Sequence, residues 1–279
     1  MSATTVRPPL GIAQLSLLGT APPDLVRLAA GAGFDFIGTR VRPVTGNERA
    51  FDLQPGSPML AETLARMADT GVVIRDIEFL LLDGSDQRDA WLRMMEAGQA
   101  LGATGLTVAA SDPDRSRLAD TLARMAEDGR GHGITPTLEP ISYQAVNSIP
   151  AAAALARAAG CQIVVDTLHF RRFGGTLEDL AENADLVPMV QLCDGPAQRP
   201  TDREGMVLES RSERGVPGEG DFRLPEIVAA LPPELPVSVE TPSNSTVSRI
   251  GEAAWVRLLK EAADRVLDEA AALRVPTSA

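Results

Sequence analysis

Asp166 closes an apolar run, Gln162-Ile163-Val164-Val165, and His169 follows it by three residues. Three comparable runs end on Glu139, Gln191 and Glu240. A single acid at the end of a buried strand needs no more explanation than an ion pair. Four oxygen-bearing side chains at the same end of four neighbouring strands form a site. Three carboxylates that converge in a dry pocket cannot all remain ionised without a cation, because their mutual repulsion would force protonation. One divalent ion resolves this. A set of three carboxylates and one amide carbonyl, Glu139, Asp166, Glu240 and Gln191, suits Mn²⁺ or Mg²⁺, admits Co²⁺, and fits Zn²⁺ less well, since zinc prefers His and Cys. His169, expected in the loop after Asp166, can reach a substrate or the outer shell of the metal.

The elements that must position these residues follow from periodicity. Short β-type runs alternate with longer helical patterns eight times, with strands expected near 10–16, 34–39, 72–80, 104–109, 133–139, 161–166, 186–192 and 235–241. Helices are expected over 58–69, 88–101, 114–128 and 149–159, and a last one over 248–273 carries Ile250, Trp255, Leu258, Leu259 and Leu267 on its packed side. Gly31 and Gly33, Gly71 and Gly102 stand where the first three helices should stop. Strict β/α alternation implies a parallel sheet, and eight repeats predict a closed (β/α)8 TIM barrel as one domain over 1–279, entered by an extended segment, 1–9. A doubly wound open sheet would usually place a Gly-rich phosphate loop after its first strand, and none follows Leu10 to Leu17. In such barrels the active site lies at the C-terminal ends of the strands, where Glu139, Asp166, Gln191 and Glu240 fall. Alternation puts Ser238 and Glu240 on the axial face and Val237 and Val239 on the helix face.

One long irregular stretch, 194–220, is rich in Arg, Glu, Pro and Gly, and loops of that length are usually functional. It offers Arg211 and Arg214 as clamps for an anionic substrate group. Pro217-Gly218-Glu219-Gly220 reads as a turn, since no helix N-terminus follows the Gly pattern of a phosphate cradle. Arg40, Arg75 and Glu78 on the second and third strands are further candidates for the substrate pocket. Cys161 begins a strand and Cys193 follows one, so the two lie at opposite ends of the barrel and are expected as free thiols. His132, before the fifth strand, belongs to the wrong end.

The chain has 279 residues, 44% of them apolar, and a formal net charge of −12. That acidity argues against a nucleic-acid groove, which needs concentrated Lys and Arg, and favours a small-molecule substrate. Met1 to Pro9 has no apolar h-region, and no run of about 18 apolar residues is free of charge, so neither secretion nor membrane insertion is expected. A cytoplasmic protein is expected, and a homo-oligomer is compatible with everything above.

The combination of Glu139 at strand five, Val-Val-Asp-Thr-Leu-His at strand six, Val-Gln-Leu-Cys-Asp-Gly at strand seven, Pro217-Gly218-Glu219-Gly220-Asp221, and Val-Glu-Thr at strand eight resembles the xylose-isomerase-like TIM-barrel superfamily, the sugar phosphate isomerase/epimerase group. The resemblance spans nearly the whole chain. It implies one divalent metal on Glu139, Asp166, Gln191 and Glu240, substrate contacts from His169 and an arginine of 211–214, and proton transfer by Glu139 and Glu240. The implied activity is isomerisation or epimerisation of a small polyhydroxy carbonyl compound through a metal-stabilised enediolate. Strand seven usually offers His in that group, whereas this chain has Gln191. The 3-dehydroshikimate dehydratase branch uses glutamine there, which makes metal-dependent dehydration the alternative. The endonuclease branch, whose three-metal site is rich in histidine, is disfavoured by a chain with two histidines, His132 and His169. A barrel that binds a small molecule without catalysis is the third reading.

Overall fold

The computed structural model describes residues 7–274, so residues 1–6 of the expected N-terminal segment lie outside it. In chain order the elements are β1 Leu10–Ala13, α1 Pro22–Ala32, β2 Phe36–Arg40, α2 Pro58–Thr70, β3 Val73–Leu82, α3 Arg88–Leu101 and β4 Gly105–Ala110. Then come α4 Arg115–Arg130, β5 Thr135–Leu138, α5 Ile149–Ala159, β6 Gln162–Ile163, β7 Val165–Asp166, α6 Thr167–Arg172, α7 Leu177–Glu182 and β8 Val190–Leu192. The chain finishes with α8 Arg203–Ser212, α9 Leu224–Ala229, β9 Val237–Val239, α10 Asn244–Ile250 and α11 Glu252–Arg274.

All the strand pairings are parallel, in the order β6-β5-β4-β3-β2-β1-β9-β8-β7. β6 and β7 are halves of one barrel strand parted at Val164, one half pairing with β5 and the other with β8. The sheet is therefore a nearly closed eight-strand TIM barrel, as the β/α alternation predicts.

Helix ends follow local chemistry. The side chains of Ser57, Asp114 and Ser148 cap α2, α4 and α5 by accepting N–H bonds from the first turn. Gly33, at φ 84°, ends α1, whereas Gly31 lies inside that helix. The expected last helix is two: Gly251, at φ 82° and ψ 156°, leaves helical geometry and separates α10 from α11. A second difference lies in 194–220, where the structure forms α8 despite flanking Pro and Gly, with the Asp202 side chain accepting from Gly205 N–H at its start. No described helix is long and apolar enough to cross a membrane.

The main core lies between the strands and the helices and includes Ile12, Ile37, Ile77, Leu106, Leu138, Val237, Val239, Trp91, Leu122 and Trp255. Val237 and Val239 occupy it as alternation requires, which turns Ser238 and Glu240 toward the axis. A separate apolar cluster of Phe36, Val164 and Met189 sits at the N-terminal end of the strands. Polar groups are thus left to the axis above it.

Close backbone approach is demanded at Gly129 in the last turn of α4, where a Cβ would lie 2.2 Å from the Ile134 carbonyl oxygen. Gly129→Ala should therefore push α4 off β5 and lower stability by about 1–3 kcal/mol, read as a lower urea midpoint with an unchanged slope.

Candidate active site

β7 runs directly into α6, and Asp166 is the residue at the junction. One of its oxygens, Oδ1, accepts from the backbone N–H groups of Leu168 (2.7 Å) and His169 (3.3 Å) and so caps the helix. The cap places His169 in the first turn of α6, not in a loop, with its ring turned to Glu139: His169 Nε2 lies 3.7 Å from Glu139 Oε1. Glu139 and Glu240 each sit one residue past a strand and are still held in register, their N–H groups donating to Val108 (2.7 Å) and Leu192 (2.8 Å). Gln191, within β8, donates from Nε2 to Glu240 Oε1 at 2.9 Å. Glu139, Asp166 and His169 each offer one ligand atom, and those atoms lie within 4.8 Å of one another. All five side chains are buried.

Arg214 stands among them. Its Nη1 donates to Asp166 Oδ2 (2.5 Å) and to the Glu240 carbonyl (3.0 Å), and lies 3.0 Å from Glu240 Oε2, while its Nε donates to the Ser210 carbonyl (2.7 Å). Backbone ties hold it there. Arg214 N–H donates to the Pro242 carbonyl, and Gly215 exchanges both backbone hydrogen bonds with Asp194, at 2.7 and 2.9 Å. Asp194 in turn accepts from the N–H groups of Gly195, Gly218 and Phe222, so the Pro217-Gly218-Glu219-Gly220 segment is a turn folded around this carboxylate. Farther out, a partly buried ion pair between Arg172 and Glu209 fastens α8 to α6.

These surroundings set the protonation states. Burial works against the Asp166 carboxylate, but the Arg214 guanidinium outweighs it and holds the pKa below the usual range. Burial, reinforced by the charge on Asp166, lifts Glu139 to about 8. Burial raises Glu240 well above its ordinary value, against the pull of Arg214. Burial lowers His169 to about 4, leaving it neutral at pH 7. The cluster therefore balances one carboxylate against one guanidinium, with protons on the other two acids. Gln191 Oε1 is buried and accepts no hydrogen bond. An orphaned amide oxygen beside three carboxyl groups, two of them carrying displaceable protons, is a donor set that fits a divalent cation. His169 is a further donor within reach.

Above this cluster a cavity of about 430 Å³ is lined by Arg40, Glu78, Glu139, His169, Arg211, Arg214 and Glu240, among others. Arg40 is engaged by Glu78 (3.1 Å) and Glu48 (3.5 Å). Arg211 lies on α8 at the mouth. Arg75 is a correction to the sequence reading: it lies toward the N-terminal end of the ten-residue β3, over the Phe36 ring, and lines a different cavity. A strand of that length separates Arg75 from Glu78 along the barrel axis, so membership of the strand did not decide which mouth it serves.

Several contributors were missed. Ser142 Oγ lies 3.2 Å from His169 Nδ1 and Ser210 Oγ lies 3.4 Å from its Nε2, with Tyr143 donating to Ser210 at 3.1 Å. Ser142 and Tyr143 follow Glu139 closely, which was the available signal; Ser210 had none once α8 was read as loop. Gln14 accepts from Thr39 Oγ1 and Arg40 N–H, both at 2.7 Å, and sets the end of β2. Cys161 and Cys193 are buried free thiols. Burial pushes the Cys193 thiol up to about 12 even beside Arg214, which leaves no nucleophile.

The family described as Xylose isomerase-like TIM barrel matches residues 26–270. A comparison with curated proteins gave no match. Among solved structures, a xylose isomerase-like TIM barrel/4-hydroxyphenylpyruvate dioxygenase fusion protein is similar at TM-score 0.78 and 21% identity over 96% of this chain. The chain spans only 44% of the length of that fusion protein. A zinc-bound IOLI protein (TM-score 0.72, 16% identity, 93% of this chain and 98% of that one) and an L-ribulose 3-epimerase (0.72, 17%, 97% and 98%) are similar over nearly their whole lengths. So is a probable 3-DHS dehydratase, AsbF of Bacillus anthracis (0.70, 14%, 93% and 98%). At these identities the likeness is one of fold.

Two outcomes follow from the charge balance. Arg214→Met should destabilise the metal-free protein by about 3–5 kcal/mol, because a buried carboxylate loses its partner, and added Mn²⁺ should recover part of that loss in thermal melts. A carboxyl whose pKa is raised on folding contributes its full stability below its unfolded pKa and loses it progressively as pH rises through the folded one. The metal-free melting temperature should therefore fall as pH rises from near 4.5 through about 8, and Glu139→Gln should flatten that fall.

Proposed function

The chain belongs to the xylose isomerase-like TIM-barrel family, and on that premise we propose that it is a divalent-metal-dependent isomerase or epimerase of a small polyhydroxylated carbonyl compound. One observation carries the reading: Glu139 and Glu240, ending β5 and β9, both reach the pocket with their carboxyl groups in a proton-accepting or proton-donating environment set by the same buried cluster.

Glu139, Asp166, Gln191 and Glu240 would hold the ion, with His169 as a nearby donor or substrate contact. When bound, the ion supplies positive charge against which a substrate carbonyl oxygen can become negative. Glu139 and Glu240 then serve as the base that takes a proton from the carbon beside the carbonyl and the acid that returns one. With the ion held, one of the two would give up its resting proton and act as the base, while the other would keep its proton and act as the acid. His169, neutral and held between Ser142 and Ser210, offers a hydrogen bond to a substrate hydroxyl without adding charge. Arg211, which lines the cavity at its mouth, would receive an acidic group on the substrate. The oxygen donors favour Mn²⁺ or Mg²⁺ over Zn²⁺, although the zinc in the IOLI protein shows that a barrel of this fold accommodates that ion.

Dehydration is the second reading, and Gln191 favours it, because the resemblance to the dehydratase branch rests on this residue. The first proton abstraction is the same; hydroxide then leaves, protonated by the second carboxyl group, instead of the carbon regaining a proton.

Mn²⁺-loaded protein mixed with ketoses, aldoses and hydroxy-ketone acids in ²H₂O separates these readings. An isomerase or epimerase should place deuterium on the carbon beside the carbonyl without loss of water, and Glu240→Gln should slow this by about 10²–10⁴. A rise in ultraviolet absorbance with loss of water marks the dehydratase. If calorimetry detects neither Mn²⁺, Mg²⁺ nor Co²⁺ binding and no substrate exchanges, both enzymatic readings fail in favour of a binding barrel.

A further inference from the structure

Asp76 and Glu78 are two residues apart on β3 and point to the barrel axis, as the space around Gly38 on the neighbouring strand shows. A Cβ there would lie 2.8 and 3.1 Å from the two Asp76 carboxyl oxygens and 3.1 Å from Glu78 Oε1. Only a glycine lets both carboxyl groups occupy that space. Both side chains are buried, at 4% and 2% exposure, yet neither oxygen of Asp76 and not Glu78 Oε1 has a hydrogen-bond partner. Bare buried carboxyl oxygens of this kind are costly unless a proton or water meets them.

The pair also lies between two cavities. Glu78 lines the 430 Å³ pocket at the C-terminal mouth, with its other oxygen engaged by Arg40. Asp76 lines a separate space of about 40 Å³ with Arg75, Thr137, Gln162, Pro188 and Met189, at the N-terminal end of the strands. That space is large enough for water, and Arg75, Gln162 and Pro188 are partly exposed around it.

We propose that Asp76 and Glu78, bridged by a water, form a passage for protons along the barrel axis, from the N-terminal cavity to the substrate pocket. The two carboxyl groups are not in hydrogen-bond contact, so one water bridges them: the Asp76 O–H bond breaks as its proton passes to that water, which gives one of its own to Glu78 Oε1. Water in the lower cavity reprotonates Asp76 and draws its own proton from bulk solvent. No electron pair changes owner beyond these O–H bonds. Arg75 from below, and Arg40, Glu48, Glu139 and Glu240 from above, are the charged groups that bias the transfer. Burial, with the neighbouring charge of Glu78, keeps Asp76 in its protonated form well above the usual carboxyl range, as a donor must be. The passage gives the pocket a proton supply that a bound substrate closing the mouth does not block. Its use in turnover rests on the proton-transfer function proposed above; its existence does not.

Infrared spectroscopy of Mn²⁺-saturated protein at pH 7 tests it. The wild-type minus Asp76→Asn difference should contain one carboxylic-acid carbonyl band that shifts in Glu78→Gln. The band should move promptly to its deuterated position in ²H₂O, and more slowly in Gly38→Ala, whose methyl fills the gap between the two groups. The passage is overturned by the absence of the band, by a band indifferent to Glu78→Gln, or by exchange as slow as that of core amides. Given an active substrate, Asp76→Asn should lower kcat for solvent-deuterium incorporation several-fold at unchanged KM. A normal kcat with the band present removes the role in turnover and leaves the passage. Lack of activity on every substrate bears on the proposed function alone.

Discussion

A single buried guanidinium has to answer three carboxyl groups, and much of the C-terminal half of the barrel is arranged around that imbalance. Arg214 lies 2.5 Å from Asp166 Oδ2 and 3.0 Å from Glu240 Oε2. It can neutralise one of them, so protons must serve the others in the metal-free protein. A rigid buried arginine is not adjusted by rotating it into water, because its Nε is held by Ser210 and its own backbone by Pro242. The remaining freedom is protonic. In the site proposed above, a divalent ion would be accommodated by loss of a proton and not by movement of a side chain.

The barrel was legible in the sequence because parallel strands buried on both faces read as short apolar runs, and because a polar residue closing such a run has one natural destination. Glu139, Asp166, Gln191 and Glu240 were singled out that way, and the structure gathers their buried side chains at one end of the barrel. The same reasoning mistook Arg75, since an arginine near the middle of a run does not announce which end of a ten-residue strand it serves. α8 was hidden by the Pro and Gly that flank it, and Ser210 was hidden with it. His169 was placed in a loop because nothing in the spacing shows that the Asp166 carboxylate would cap a helix at once. In each miss the deciding interaction is tertiary or involves one side chain capping the backbone, and neither has a periodicity.

The barrel axis is polar where the outer layer is apolar. Thr107 and Thr137 hydroxyls meet at 3.3 Å inside it, and Ser238 contributes a buried hydroxyl with no partner. Such an interior is built less for stability than the Trp and Leu layer outside it. A structure that tolerates unsatisfied oxygens along its centre leaves cohesion to the apolar layer between strands and helices.

The mutual hydrogen bonds of Asp194 and Gly215 bring the two ends of a long excursion together at the rim. The residues between them, α8 and Arg214 included, leave and re-enter the barrel through one narrow neck, and Arg214 at its end is bonded both to Pro242 on the barrel and to Ser210 on α8. The part of this segment before Glu209 is an exchangeable cassette: its length and composition can diverge, and with them the shape of the pocket roof, while Glu209, Ser210 and Arg214 keep the charged floor in place. New substrate preferences could be grafted onto this scaffold by replacing one contiguous stretch of chain.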